Sequence, residues 1–149
     1  MKKIHAAGLL FAAAIGFIYS CNKKNDTPAP ATTVDLAATL NGANEVPANP
    51  SVNTGSVTGT YNLNTKIISI NTSWSGFAAT NAHIHKGGAG VSGSVFMGFS
   101  APFTSPLPFT ATAALTQAQE DSLFAGLFYV NVHSAAYPGG EIRGQLIKK

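Results

Sequence analysis

Short stretches in which apolar and polar residues alternate, separated by turn residues, fill the chain from about residue 33 to its last residue. Successive side chains of a β-strand point to opposite faces, so this period of two is typical of strands with one buried face. Eight such stretches follow one another: TVDLAATL, GSVTGTYNL, KIISINTSWSG, TNAHIHK, GSVFMGFS, FTATAAL, LFYVNVHS and EIRGQLIKK. We therefore predict an all-β fold of about eight antiparallel strands, a Greek-key sandwich or barrel of the immunoglobulin-like or superoxide dismutase-like kind.

A single stretch, LTQAQEDSLFAG, predicts a helix. Thr116 is a suitable N-cap, Gln119 follows three residues later as in a capping box, and Gly126 is a natural stop. We expect one short helix that connects two strands and packs on the sheet through Leu123 and Phe124.

The first twenty residues have the pattern of an export signal. Lys2 and Lys3 precede an apolar run of about thirteen residues, which is shorter than a permanent membrane span needs. The run ends in Ile18-Tyr19-Ser20-Cys21, which resembles a bacterial lipobox. Because Cys21 is the only cysteine of the chain, an intrachain disulfide is excluded. We predict a lipoprotein signal peptide (residues 1–20) and lipidation of Cys21.

Residues 21–33 contain two prolines and no large apolar side chain, so we expect a flexible tether between the lipid and the domain. The remaining residues, 34–149, suffice for one domain with one core. From Cys21 onward, seven Lys or Arg residues face six acidic residues. This near-neutral balance, without a basic stripe, gives no indication of nucleic-acid binding.

The alternation also predicts which side chains share a face. In TNAHIHK, His83 and His85 project from one side of the strand and Ile84 from the other. In the last two strands the same rule turns a set of aliphatic residues inward: Val130, Val132, Ile142 and Leu146. It turns a set of polar residues outward: Tyr129, Asn131, His133, Glu141, Arg143 and Gln145.

Two interpretations of these polar residues stay open. Neutral imidazoles suit copper and zinc, and three ligands with an open fourth position are typical of catalytic sites. His83, His85 and His133 are then the ligands, and Asn131, Glu141 or a backbone carbonyl orients them. Alternatively, His83, Glu141 and Arg143 form a network that only holds the turns together.

Four motifs in order, LNGANEVP, AHIHKGGAGVSGSV, FYVNVHS and YPGGEIRGQL, resemble those of the CHRD domain, a family named for chordin and widespread in bacterial secreted proteins and lipoproteins. The resemblance covers residues 36–147. It implies an all-β extracytoplasmic domain and leaves the biochemical role of its bacterial members open.

HIH, VNVH and the glycine-rich turn into EIRGQL are similar in layout to the copper-zinc superoxide dismutases. This resemblance implies His83, His85 and His133 as copper ligands and Arg143 as a group that guides an anion to the metal. However, residues 87–119 contain no His, Asp, Glu or Cys, so the zinc site of that family is absent from this sequence.

We expect a lipid-anchored CHRD domain in the cell envelope, on its periplasmic or outer-surface side, that acts without catalysis as a binding or interaction module. Its partners would be membrane lipid, through the anchor, and a protein or small molecule. The alternative function is a mononuclear copper or other metal protein, redox-active, with a three-histidine site.

Overall fold

The computed structural model describes residues 32–149. The predicted signal peptide, the predicted lipidation site at Cys21 and the predicted tether up to residue 31 lie outside the described residues. In chain order the elements are β1 (Thr33–Asn41), a 3₁₀ turn (Gly42–Asn44), β2 (Thr54–Asn62), β3 (Ile67–Trp74), β4 (Ala79–Lys86), β5 (Ser94–Gly98), β6 (Leu107–Thr110), α1 (Gln117–Phe124), β7 (Phe128–Ser134), β8 (Ile142–Gln145) and β9 (Ile147–Lys148). No helix in this part of the chain is long and apolar enough to cross a membrane.

All strands belong to one antiparallel sheet. The strand order is β5-β4-β7-β8-β1-β2-β3-β6, and the short β9 pairs with β1. The sheet curls into a half-barrel, so that the rings of Phe99, after β5, and Phe109, on β6, approach to 4.7 Å between centroids. The predicted all-β fold with one short helix is confirmed. Of the two predicted architectures, sandwich and barrel, the barrel is the better description of this single curled sheet.

The concave face of the sheet holds the apolar core. The four aliphatic residues predicted to point inward, and Ile84 with them, are fully buried. Burying one such side chain contributes about 1.5–3 kcal/mol, so this face is the main source of stability. The strand predicted from FTATAAL ends earlier than expected, at Thr110. The Ala111 amide donates the last hydrogen bond to β3, at the Ile68 carbonyl, and beyond it the chain turns towards α1.

The helix begins and ends where its sequence predicted. The Thr116 side chain accepts from the Gln119 amide and the Gln119 side chain accepts from the Thr116 amide, which completes the capping box. Gly126 follows the helix with a φ of 69°, a conformation that glycine adopts without strain. Leu123 is buried against the core, and the Phe124 ring meets Tyr61 edge-on.

The convex face differs from the prediction. Tyr129, Asn131 and His133 do point away from the apolar core, yet they are only 3%, 3% and 9% exposed. Three loops (residues 42–53, 87–93 and 135–140) fold over this side of β7 and β8 and bond to it. We call this covered side the polar layer. Alternation predicted the direction of its side chains correctly, but their exposure to solvent was wrong because strand periodicity says nothing about loops.

Candidate metal centre

The pairing of β4 with β7 brings three histidines together. His83 lies opposite Asn131, and Asn81 lies opposite His133, so His83 and His133 are diagonal neighbours on the same face. The His83 ring lies 5.4 Å from the His85 ring and 4.9 Å from the His133 ring, between centroids. One nitrogen of each ring lies within 4.8 Å of the corresponding nitrogen of the other two. The cluster that a three-histidine site needs is therefore present.

Backbone carbonyls fix the orientation of two of these rings. His85 Nδ1 lies 2.9 Å from the carbonyl oxygen of Gly93, and His133 Nδ1 lies 2.9 Å from that of Pro138. A carbonyl oxygen can only accept, so both Nδ1 atoms carry hydrogen and donate it. In the neutral rings each Nε2 then holds a free lone pair. A histidine that binds a metal usually donates its other N–H in this way.

Of these two Nε2 lone pairs, one has a hydrogen-bond donor and the other has none. His83 Nδ1 lies 3.0 Å from His133 Nε2, and because His133 Nε2 is the acceptor, His83 Nδ1 must be the donor. His85 Nε2 is buried and has no hydrogen-bond partner among the described residues. A buried polar atom without a partner costs about 1–3 kcal/mol, and a ligand bound to this nitrogen would remove that cost.

Two of the rings favour the neutral form. Burial lowers the pKa of His83, and the nearby His133 and His85 lower it further. Burial also lowers the pKa of His133 and outweighs the opposite effect of its bond to Pro138. Both rings are therefore mainly neutral near pH 7, the state in which imidazole binds metals.

Arg143 reaches this site only through Tyr129. Its guanidinium carbon lies 3.4 Å from the centroid of the Tyr129 ring, and that ring stacks on His85 at 4.8 Å and 6°. Arg143 donates to the carbonyls of Gly88 and Val91, both at 2.9 Å, and is 2% exposed. These contacts hold the loop of residues 87–93 on the polar layer. The anion-guiding role of Arg143 stays a prediction.

The two remaining predicted residues lie beside the cluster rather than against it. Glu141 accepts hydrogen bonds from Ser51, at 2.9 Å, and from Asn53, at 2.6 Å. Burial alone would raise the pKa of Glu141, but hydrogen bonds from Ser134, Asn53 and Ser51 lower it below its usual range. The hydrogen bonds recorded for Glu141 thus go to residues other than the histidines.

Asn131 lies between His83 on β4 and Arg143 on β8. Its Oδ1 is buried without a partner among the described residues, as is Oε1 of Glu45. Burial raises the pKa of Glu45 to about 7, although Arg143, the Val46 amide and Asn131 act in the opposite direction. Asn131 forms no hydrogen bond with a histidine in this arrangement, so of the three orienting groups foreseen, the backbone carbonyl is the one in place.

Sequence reasoning missed Tyr129, Gly93 and Pro138 as parts of the site. The alternation placed Tyr129 on the same face as His133. It could not show that Tyr129 lies opposite His85 in the β4–β7 pairing. Gly93 and Pro138 contribute only carbonyl oxygens. Every residue has one, so no residue type could have pointed to them.

Comparison with known families places this geometry in context. The CHRD domain family matches residues 36–146, a span that contains all three histidines and the loops over them. No curated protein and no solved structure gave a significant match. The chain belongs to the CHRD domain family.

Proposed function

We propose that this CHRD domain binds one transition-metal ion through His83, His85 and His133. The observation that carries the proposal is the convergence of three imidazoles, two of them with tautomers fixed by carbonyls, around the unpartnered, buried Nε2 of His85. In a purely structural network most buried lone pairs accept a hydrogen bond, whereas His85 Nε2 accepts none from the described residues.

The hydrogen bonds assign the ligand atoms. His85 and His133 would bind through Nε2, because their Nδ1 atoms donate to Gly93 and Pro138. His83 would bind through Nδ1, the atom now 3.0 Å from His133 Nε2, after its hydrogen moves to the other ring nitrogen. Two imidazole nitrogens on one tetrahedral ion lie about 3.3 Å apart. A small separation of these two rings, and an approach of the His85 nitrogen, which the cluster holds within 4.8 Å, would therefore admit the metal.

The donor set favours copper or zinc. Imidazole nitrogen suits these ions, whereas calcium and magnesium prefer oxygen. Among the described residues the cluster of potential ligands consists of the three histidines alone. A fourth position would be open to solvent or a small ligand.

The metal proposal is tested on the unlipidated protein, defined as residues 21–149 with Cys21→Ser, which removes a competing thiol. We expect about one copper or zinc ion per chain, and loss of binding in His85→Ala and His133→Ala. Lys86→Ala, which changes an exposed residue on the same strand, is the matched control. Less than about 0.2 ion per wild-type chain contradicts the proposal.

A second candidate function is binding of an organic ligand without metal. A groove of about 550 Å³ lies between β5 and β6, the two ends of the strand order, and Phe96, Met97 and Phe109 line it. Its volume is within the usual range for small-molecule sites. A panel of amphiphilic compounds, screened by thermal shift, would test it: a compound that stabilises the wild type but not Phe109→Ala supports this function, and none doing so contradicts it.

The anchor and the location in the cell envelope complete the proposal. They rest on the sequence pattern that ends at Cys21. Two or more acyl chains hold a protein on a membrane far more firmly than one. We expect the wild-type protein in the membrane fraction and Cys21→Ser in the soluble fraction. Equal distribution of the two would contradict lipidation.

A further inference from the structure

The ligands of the proposed site bring no negative charge. All three are imidazoles, and the described residues add no carboxylate or thiolate to the cluster. A bound ion therefore keeps its full charge unless a solvent anion joins it. A divalent ion would leave two positive charges in the polar layer, and a monovalent ion would leave one.

A buried positive group contacts this stack of rings. The Arg143 guanidinium and the His85 ring both pack on Tyr129, at 3.4 Å and 4.8 Å from its centroid. The guanidinium is 2% exposed, so water screens its charge only weakly. Its presence raises the energy of any further positive charge at His85, and more so for a divalent ion.

The buried carboxylates of the polar layer are not ligands of the proposed site. Glu141 is directed at Ser51 and Asn53. Glu45 has a pKa raised to about 7, so a large fraction of it is neutral at that pH. Neither residue belongs to the histidine cluster.

The free energy needed to move an ion from water into a buried site rises with the square of its charge. It is therefore about four times larger for a divalent ion than for a monovalent ion of the same size. Zinc normally takes four ligands, so a zinc ion at this site would need water or another small ligand in the open position. Monovalent copper has a filled d shell and is stable with three nitrogen ligands. Charge and coordination number therefore favour the same ion.

We propose that the cluster of His83, His85 and His133 selects copper in its monovalent state over zinc and over divalent copper. This inference rests on the proposed function, because it concerns the same site. It adds to that function which charge state of the ion the site prefers, and why.

The test is a competition between monovalent copper and zinc on the unlipidated protein, under anaerobic conditions and with a chromophoric chelator of monovalent copper. We expect about one copper per chain, retained against a zinc excess of about 100-fold. His133→Ala should lose the copper, and Lys86→Ala should retain it. Zinc that displaces copper, or binds as tightly, overturns the selectivity but leaves metal binding intact. Binding of neither ion overturns the proposed function itself.

Oxidation of the copper-loaded protein with ferricyanide provides a second measurement. The oxidant removes one electron from each copper ion, which becomes divalent and is expected to leave the site for a weak chelator in solution. Paramagnetic resonance would then show chelator-bound divalent copper. A signal from divalent copper held by three protein nitrogens, persisting against the chelator, overturns the inference.

Discussion

The two faces of the curled sheet are both buried, but by different means. The concave face is covered by aliphatic and aromatic side chains, and the convex face of β7 and β8 is covered by loops that bond to polar side chains. Strand β7 belongs to both faces, and all seven of its residues are buried. Apolar packing depends on volume and tolerates changes of shape. A hydrogen-bonded layer fixes directions, which is what a binding site requires.

The largest expected loss of stability comes from a substitution on the apolar face. Phe128→Ala should lower the free energy of unfolding by about 3–5 kcal/mol, because Phe128 is fully buried and stacks on Phe96. Denaturant unfolding measures this loss. Val52→Ala is the control, since Val52 is 92% exposed, and should change the free energy little. A loss under about 1 kcal/mol for Phe128→Ala would contradict the assignment of the core to this face.

The next effect concerns the polar layer. Arg143→Met should lower the free energy of unfolding by about 2–4 kcal/mol, because it removes a buried guanidinium and leaves the carbonyls of Gly88 and Val91 without their donor. Lys86→Met, at an exposed position, serves as the control in the same denaturant series. Equal free energies of unfolding for the two variants would contradict a stabilising role of Arg143 for the loop of residues 87–93.

A smaller change isolates one hydroxyl of the polar layer. The Tyr129 hydroxyl accepts from the Gly93 amide at 3.1 Å and donates to the Gly93 carbonyl at 3.4 Å. Tyr129→Phe keeps the stacked ring and should cost about 1 kcal/mol of unfolding free energy. The matched variant Tyr137→Phe should cost less. Faster amide exchange in residues 87–93 of Tyr129→Phe would show that the loss is local, and unchanged exchange there would argue against it.

The smallest expected effect depends on pH. Burial raises the pKa of Glu45 from 4.5 to about 7, so the folded protein holds a proton that the unfolded chain releases between these values. This contribution to stability is complete below about pH 4.5 and is lost as the pH rises through 7. Over this pH interval, the free energy of unfolding of Glu45→Gln should therefore rise by about 1 kcal/mol relative to that of the wild type. This is less than the full linkage value because Glu45 borders an open pocket, where solvent screens its charge.

Thermal unfolding of both proteins at pH 4.5 and pH 7.5 checks this sign. Glu141→Gln is the contrasting variant, since hydrogen bonds lower the pKa of Glu141. Its carboxylate stabilises the fold above about pH 4.5 and loses that effect as the pH falls further. A Glu45→Gln curve parallel to the wild type would contradict the raised pKa.

The contrast between the faces also explains what the sequence could predict. Alternation in AHIHK and YVNVH correctly placed Ile84, Val130 and Val132 on one side and the histidines on the other, because side-chain direction in a strand is a local property. The helix at Thr116 was predictable for the same reason. The cover over His133 was not, since it depends on where the Pro138 carbonyl lies after a long-range fold is complete.

The stacking of Arg143 on Tyr129 had no local signal either. It requires β7 and β8 to pair in register and a loop from between β4 and β5 to receive the guanidinium. The dismutase-like layout suggested an anion-guiding Arg143, but a match in sequence order cannot tell an arginine that faces solvent from one enclosed by carbonyls.

X-ray absorption at the copper edge tests the central claim most directly, that the polar layer binds one metal ion through three histidines. The account predicts about three imidazole nitrogens at about 2.0 Å in the copper-loaded unlipidated protein, and a changed spectrum with fewer imidazoles in His85→Ala. Oxygen or sulfur neighbours in place of imidazole, or a spectrum that His85→Ala leaves unchanged, would contradict it.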